Sequence, residues 1–316
     1  MKNLNKKKLI SIVTPTFNEE ENVELLYNKI KEIMEGYKNK YDYEHIFIDN
    51  CSTDRTVEIL KEIAKKDKNV KIIVNSRNFG IVRSPYYGLL QTKGDCSILI
   101  SADFQEPPEL INHFIKKWEE GYKIVVAVKK SSKENIIFFL IRKLYYNILK
   151  KLSEVDLIKN YMGFGLYDKE IIEILKKLDD PYPYLRGIIC DIGFEKAKIP
   201  YIQPKRKRGI TKNNFYSLYD MAMLGITSHS KIPLRIATFS GFILSILSLI
   251  IALIYFIYKI IFWKSFSLGT APLIIGLFFF SSINLFFLGI LGEYIASIHT
   301  QVLKRPLVIE KERINF

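Results

Sequence analysis

The sequence predicts an α/β domain with a mostly parallel sheet between helices, followed by a C-terminal hairpin of two transmembrane helices. Within residues 9–128, short apolar runs alternate with amphipathic segments at the spacing of strand–helix units. This alternation is typical of parallel sheets covered on both faces. Near the C-terminus, two apolar runs each exceed the ~20 residues that a helix needs to cross a bilayer.

Short apolar runs bounded by turn-forming residues are predicted as the strands. They are residues 9–14, 45–49, 70–74, 97–100 and 123–128. Helices are predicted from residue 19, at 55–66, from about residue 80 to 92, and from near residue 109. The glycine-rich segment 160–167 is predicted as a further strand under the candidate site, and the loop 182–187 is predicted to open a short helix.

The first helix has both a start signal and an apolar face. Asn18 is predicted to cap it, with Glu21 as the capping-box partner. The residues expected to face the core are Val23, Leu25, Leu26, Ile30 and Ile33.

The segment 136–152 is amphipathic but very apolar. We interpret it as a helix in the core. The alternative is a helix lying against lipid or another subunit, with Arg142 facing the candidate site.

The C-terminal apolar runs cover residues 236–262 and 272–295. A buried hairpin in a soluble core is the alternative, but such hairpins rarely lack charges for so long. A basic cluster at 205–212 and an interface helix at 215–226 precede the runs. Lys259 and Lys264 flank the short connection, and the larger set of basic residues lies on the other side. The positive-inside rule therefore places the large domain and both termini in the cytoplasm.

Composition limits the class of protein. The formal charge is +14, and the apolar runs favour anionic lipid and phosphate ligands over nucleic acid as its partners. The odd number of scattered cysteines, Cys51, Cys96 and Cys190, fits free thiols in a reducing compartment. No signal peptide is expected, because the basic start is followed by a short strand.

The stretch 101–108 follows the predicted strand at 97–100, at the edge of an open sheet where ligands bind. Asp103 and Gln105 lie two positions apart, so their oxygens can point the same way and hold one hard divalent cation. A polar turn before Pro107 and Pro108 explains the stretch equally well.

A second acidic residue, Asp49, ends a neighbouring predicted strand, and residues 15–19 follow the first one. Together they suggest a nucleotide pocket, in which Phe17 packs a base and Glu19 or Asp49 bonds base or ribose. The sheet lacks GxGxxG and GxxxxGK[ST] motifs, which argues against a dinucleotide oxidoreductase or a P-loop enzyme.

Several motifs, in this order, resemble those of the family 2 inverting glycosyltransferases of GT-A fold. They are residues 13–22, 48–56, 76–80, 102–109, 206–212, 292–294 and 304–306. With two C-terminal spans, the chain looks like a polyprenyl-phosphate glycosyltransferase, a group that includes bactoprenol glucosyltransferases and dolichyl-phosphate mannose synthase.

The resemblance implies roles for residues at matching positions. Those expected to bind the nucleotide are Pro15, Phe17, Glu19, Asp49 and Ala102. Asp103 and Gln105 match the metal-binding element, and Asp103 and Arg206 are the expected catalytic residues. Those expected near the acceptor phosphate are Lys129, Arg142, Thr211 and Lys212, with a loose alignment at Arg142.

The chain departs from the family pattern at four positions. Ser101 stands where many members have the first Asp of D-x-D, and Asn50 replaces a second Asp after Asp49. Lys129 stands where an Arg is usual, and Gly163 replaces an Asp. These changes bear on sugar choice, on metal affinity, or on whether the chain is an active enzyme.

The resemblance implies transfer of a sugar from a UDP- or GDP-sugar to undecaprenyl phosphate, with Mg²⁺ or Mn²⁺, at a bacterial-type plasma membrane. A homo-oligomer is expected. The alternatives are a membrane polysaccharide synthase and a non-catalytic nucleotide-sugar-binding partner. The implied domains are a catalytic domain (1–204), a juxtamembrane segment (205–234), two spans (235–298) and a tail (299–316).

Overall fold

The computed structural model describes residues 7–131, 157–204, 220, 223–227, 230–262 and 270–316. The strands are β1 Lys8–Thr16, β2 Tyr41–Asp49, β3 Val70–Asn75, β4 Cys96–Leu99, β5 Ile124–Ser131, β6 Tyr161–Asp168, β7 Lys196–Ile202 and β8 Glu310–Ile314. The helices are α1 Val23–Glu35, α2 Thr56–Lys66, α3 Gly80–Leu90, α4 Leu110–Glu119, α5 Lys169–Leu178, α6 Leu185–Asp191, α7 Ile232–Ile261 and α8 Thr270–Leu303.

All the described strands form one sheet, in the order β7-β5-β6-β4-β1-β2-β3-β8. The pairs β4–β1, β1–β2, β2–β3 and β5–β7 are parallel, whereas β6 and β8 run antiparallel to their neighbours. The mostly parallel sheet is therefore confirmed. Because β1, β2 and β4 run the same way side by side, their carboxyl ends meet at one edge.

Burial of the central strands explains their apolar sequences. Every residue of β4 is buried, and Ile10, Ile12 and Val13 of β1 are fully buried. Helices cover both faces of the sheet, so its strands contribute to separate apolar clusters above and below it.

The prediction for the start of α1 is wrong. The helix begins at Val23, after a turn, and Asn18 has a left-handed φ of 53°. The Asn18 side chain instead accepts a hydrogen bond from the Thr53 backbone N–H at 2.7 Å, so it fastens two loops together. Leu25 is also wrong as a core residue, because it is 44% exposed while Leu26 and Ile30 face the sheet.

Residues 310–314, predicted as part of a tail, form strand β8 along β3. The Tyr87 hydroxyl donates to the Glu310 carboxylate at 2.9 Å, and the Asn315 amide donates to the Ala64 carbonyl at 2.8 Å. Ser76 N–H also bonds the Ile309 carbonyl at 2.8 Å. The chain thus returns from its apolar helices to close an edge of the sheet.

The two apolar runs form α7 and α8, as the sequence predicts. Within the described residues, Gly276–Leu303 is long and apolar enough to cross a membrane, and the apolar segment Ile232–Ser248 is shorter. A pair of membrane-spanning helices is therefore only partly supported.

Several sequence predictions lie outside the described residues. They are the helix at 136–152 with Arg142, the basic cluster at 205–212 with Arg206, Thr211 and Lys212, and most of the interface helix at 215–226. Residues 223–226 of that last segment are described and, with Thr227, are helical.

His45 makes the fold sensitive to acid. Its ring is fully buried on Phe47, with ring centroids 3.9 Å apart, and Nε2 lies 2.9 Å from the Thr14 hydroxyl. Burial penalises the imidazolium and lowers the pKa of His45 to about 3. Unfolded histidine titrates near pH ~6.5, so below that pH the unfolded state binds a proton that the folded state excludes. Stability should therefore fall by about 1.4 kcal/mol per pH unit as the pH drops towards the folded pKa.

Melting temperatures of the purified protein between about pH 7.5 and about pH 5 measure this loss. The variant His45→Gln should flatten the pH dependence. His113→Gln, at an exposed position of α4, is the matched control and should leave the slope unchanged. A slope that survives in His45→Gln would show that other groups cause it.

Candidate active site

A cleft of about 390 Å³ opens at the sheet edge where β1 and β4 end. The predicted site residues that line it are Pro15, Phe17, Glu19, Ala102, Asp103 and Gln105. The parallel pairing of β1 with β4 explains why, because Val13 is in register with Leu99 and both chains then turn into loops at the same level. The sheet thus brings together two loops that are about ninety residues apart in sequence.

The loop after β4 holds Asp103 in a tight turn. The Gln105 N–H donates to Asp103 Oδ1 at 3.1 Å, and Phe104 between them has a left-handed φ of 57°. The Phe104 ring packs against the core under the sheet, which stabilises this uncommon backbone conformation. Asp103 and Gln105 are therefore presented together on the cleft wall.

Glu106 is a part of the site that the sequence analysis missed. It lines the cleft yet is 8% exposed, and its carboxylate accepts the Ser101 N–H at 2.7 Å. Burial raises the pKa of Glu106 to about 7, and the Asp103 charge adds to the rise, while the Ser101 N–H and Arg186 oppose it. Glu106 thus ties the end of the loop to its beginning.

The loop after β1 is fastened to the loop after β2. Asn18 N–H donates to the Ser52 hydroxyl and Glu19 N–H to the Thr56 hydroxyl, both at 2.8 Å. The Glu19 carboxylate accepts from the Asn22 amide at 2.6 Å. These hydrogen bonds fix the path by which the segment that contains Phe17 and Glu19 enters the cleft.

Asp49 stabilises the same two loops, those that follow β1 and β2. Its carboxylate accepts the Ser52 N–H at 2.8 Å, the Ser52 hydroxyl at 2.5 Å and the Thr16 hydroxyl at 3.2 Å. Burial raises the pKa of Asp49, and the hydrogen bonds from Ser52 and Thr16 counteract the rise. Asp49 is fully buried, and its predicted contact with a nucleotide stays a prediction.

Asn50 has a clear structural role as an amide. Its Oδ1 accepts the Phe79 N–H at 2.8 Å and the Asn75 amide at 3.2 Å, while its Nδ2 donates to Asn78 Oδ1 at 2.8 Å. A carboxylate accepts but does not donate, so Asp at this position would lose the bond to Asn78. The Asn50 amide, where the family pattern has Asp, therefore stabilises the turn at 75–80.

The remaining predicted residues lie elsewhere. Among the described residues, the cleft lining does not include Asp49 or Lys129. Lys129 is 8% exposed and in register with Tyr201, which does line the cleft. Arg142, Arg206 and Lys212 fall outside the described residues, so their roles stay predictions.

The far wall of the cleft comes from β6, β7 and the start of α6. It includes Met162, Gly163, Tyr184, Arg186, Tyr201 and Gln203. Gly163 has a φ of 104°, in the region that favours glycine, and its carbonyl accepts the Tyr167 hydroxyl at 2.6 Å. The backbone of an Asp at this position would be strained, so the local conformation explains why glycine is present.

The Asp103 carboxylate and the Gln105 amide oxygen suit a divalent cation that also keeps water and substrate phosphate as ligands. Asp103 and Gln105 supply a carboxylate and an amide oxygen on one wall, and Mg²⁺ is usually bound through one or two carboxylates plus substrate phosphates and water. No group of three or more His, Cys, Asp or Glu side chains that could hold a metal occurs in the described part of the chain. The residues therefore fit a cation that arrives with a diphosphate.

A model of the glycosyl transferase family 2 domain matches residues 11–175, which contain most of β1, all of β2 to β6 and most of the cleft lining. The chain belongs to glycosyl transferase family 2. It is therefore a glycosyltransferase, and its sheet between helices is a GT-A fold. The resemblance seen in the sequence motifs is confirmed at the level of the family.

Two relatives align along nearly the whole chain. An uncharacterized glycosyltransferase, YkcC, of Bacillus subtilis is 35% identical over 300 residues, which cover 95% of this chain and 92% of that protein. The SfII prophage-derived bactoprenol glucosyl transferase of Shigella flexneri is 33% identical over 306 residues, 96% of this chain and 97% of that protein. The similarity to these two relatives thus extends through the apolar helices.

Among solved structures, glucosyl-3-phosphoglycerate synthase from Mycobacterium tuberculosis matches 70% of this chain and 76% of that chain. The sequence identity is 21% and the TM-score is 0.45. That structure contains Mn²⁺, uridine diphosphate and phosphoglyceric acid.

Proposed function

We propose that this family 2 enzyme transfers a sugar, with inversion, from a nucleotide-sugar to the phosphate of a membrane polyprenyl lipid. One observation carries the proposal: the cleft at the sheet edge brings four of the five predicted nucleotide residues, all except Asp49, together with the pair Asp103 and Gln105. The similarity to a bactoprenol glucosyl transferase along nearly the whole chain supports a lipid acceptor.

The donor binds across the loops that follow β1 and β4. Phe17 and Glu19 contact the base and ribose, and Asp103 and Gln105 face the diphosphate. Mg²⁺ or Mn²⁺ on Asp103 and Gln105, when bound, supplies positive charge for the leaving diphosphate. Arg206 is proposed to add to that charge, since stabilising developing charge is usually the largest catalytic contribution.

The acceptor needs little help from a base. A phosphate monoester has a second pKa of ~6, so its oxygen is already anionic near neutral pH. That oxygen attacks the anomeric carbon, and the bond from the carbon to the diphosphate breaks on the opposite face. The nucleoside diphosphate leaves with the bonding electrons, and the sugar is inverted. Lys129, Arg142 and Lys212 are the proposed contacts of the acceptor phosphate.

The apolar helices are proposed to cross the membrane twice, with the catalytic domain and both termini in the cytoplasm. The pairing of β8 with β3 supports this arrangement. Residues before α7 and after α8 share one sheet, which is consistent with an even number of bilayer crossings by the helices between them. This anchoring keeps the enzyme in the plane of its acceptor, which reduces the entropy lost on encounter. A homo-oligomer is proposed as the assembled form.

A donor screen tests the proposal. Full-length protein in detergent is incubated with undecaprenyl phosphate, a divalent cation and each common radiolabelled UDP- or GDP-sugar. We expect label in a product that organic solvent extracts and mild acid hydrolyses. Label in a polymer would instead indicate a polysaccharide synthase. Absence of label with every donor would indicate a non-catalytic binding protein.

A further inference from the structure

A second cavity, of about 320 Å³, lies between the start of α3 and the end of α8. Its lining includes Arg77, Phe79, Arg83, Leu303, Arg305 and Ile309. The first turn of α3 separates it from the active-site cleft, because Gly80, Ile81 and Val82 line that cleft instead. The cavity is therefore a distinct site close to the catalytic one.

The walls of this cavity are held by polar contacts between distant segments. Ser76 N–H bonds the Ile309 carbonyl at 2.8 Å, beside Arg77. The Gln301 amide of α8 donates to Asp180 Oδ1, also at 2.8 Å. The end of α8 is thus joined to the catalytic domain on two sides of the cavity.

Three guanidinium groups line the cavity without acidic partners. Across the described residues, no carboxylate lies within 4.0 Å of the nitrogens of Arg77, Arg83 or Arg305. Neutral aromatic rings hold two of them, since Arg77 lies 4.0 Å from the Phe79 centroid and Arg83 lies 5.0 Å from that of Tyr182. The aromatic rings orient the guanidinium groups but leave their charge uncompensated.

Arg83 gives a second sign of an anion-binding site. Its Nε is buried and has no hydrogen-bond acceptor among the described residues. A buried donor without a partner is destabilising. A ligand with several strong acceptor oxygens would satisfy Arg83, and a phosphate group matches the forked guanidinium geometry.

The surroundings point to a lipid as the carrier of that phosphate. Leu303, Pro306 and Ile309 make the cavity partly apolar. Ile298 and Val302, on the preceding turns of α8, are 61% and 74% exposed. Both belong to Gly276–Leu303, the segment apolar enough to cross a membrane. A headgroup in the cavity can therefore have its acyl chains along α8.

We infer that this cavity binds the phosphate of an anionic membrane lipid, as a site separate from the donor cleft. Arg83 and Arg305 hold the phosphate oxygens, and Arg77 adds charge at the entrance. The site would fix the catalytic domain against the bilayer beside the start of α3. The inference does not depend on which sugar or acceptor the enzyme uses.

The test compares the full-length protein with the double variant Arg83→Gln/Arg305→Gln. Each is prepared in detergent and titrated with phosphatidylglycerol, and native mass spectrometry counts the bound lipid. Losing two charge-assisted contacts should weaken binding by at least about tenfold. Arg55→Gln is the matched control, because Arg55 is exposed just before α2 and paired with Glu58 at 3.2 Å.

Titrations with other ligands show which chemical group the cavity recognises. Phosphatidylcholine should bind the normal protein more weakly than phosphatidylglycerol, because its headgroup carries no net charge. Inorganic phosphate should compete only at much higher concentration, since it lacks the apolar part. Equal binding of the two lipids, equal binding by the double variant, or phosphate binding as tight as lipid binding would each overturn the inference. UDP binding and melting temperature without lipid check that the double variant is folded.

Discussion

Replacing Asp103 with asparagine (Asp103→Asn) is expected to reduce sugar transfer at least ~100-fold, the size of effect seen when charge stabilisation of a transition state is lost. Asparagine keeps an Oδ1 that can accept the Gln105 N–H, so the turn after β4 should persist. The lost negative charge weakens the hold on a divalent cation at the diphosphate. Initial rates with a labelled donor and undecaprenyl phosphate measure the effect.

Asp42→Asn is the matched control for this variant. Asp42 is an exposed carboxylate of β2, at the other end of the strand from Asp49, so its loss should leave the rate unchanged. The melting temperature of Asp103→Asn should stay close to that of the original protein. A rate for Asp103→Asn within a few-fold of normal would remove Asp103 from the proposed mechanism.

Replacing Gly165 with alanine (Gly165→Ala) is expected to give the largest loss of stability. Gly165 lies in β6 between β4 and β5, in register with Leu99 and Val126. A Cβ there would lie 2.4 Å from the Val125 carbonyl oxygen and 3.2 Å from Val126 Cα. These are backbone atoms of a paired strand, so the sheet itself must shift. We expect about 3 kcal/mol of destabilisation, at the upper end for overpacking a core.

The loss should appear as a lower melting temperature of the detergent-purified protein and a smaller yield of folded protein. Gly289→Ala in α8 is the control, because a Cβ at Gly289 meets nothing within 4 Å. A melting temperature of Gly165→Ala equal to that of Gly289→Ala would show that β5 and β6 tolerate a wider spacing.

The buried strands and the sheet they form were predictable because burial on both faces requires continuous apolar runs. β5 shows this pattern clearly, because residues 124–128 are all apolar. β8 was not predictable in this way, since Glu310 to Ile314 is mostly charged and exposed. An edge strand needs only backbone pairing on one side, and its side chains can remain polar. The same absence of an apolar pattern hid β7, which contains Pro200.

The near wall of the active site was predictable, but the far wall only in part. Asp103 and Gln105 follow a recognisable strand, so their position at the sheet edge follows from the fold. The strand predicted at 160–167 is β6, which brings Gly163 to the cleft. Arg186 and Tyr201 come from two other elements, and only tertiary packing brings them there. Glu106 was overlooked because the sequence does not show that its carboxylate folds back to Ser101 and is buried.

The position of β8 links protein synthesis to completion of the enzyme. The ribosome makes residues 310–314 only after α7 and α8 have been translated. Until then β3 presents an unpaired edge, the kind of surface that promotes aggregation of nascent chains. The catalytic sheet is therefore finished only on chains whose apolar helices have already been made. A chain cut short before residue 310 would keep this open edge beside its apolar helices, which would make it a target for quality control.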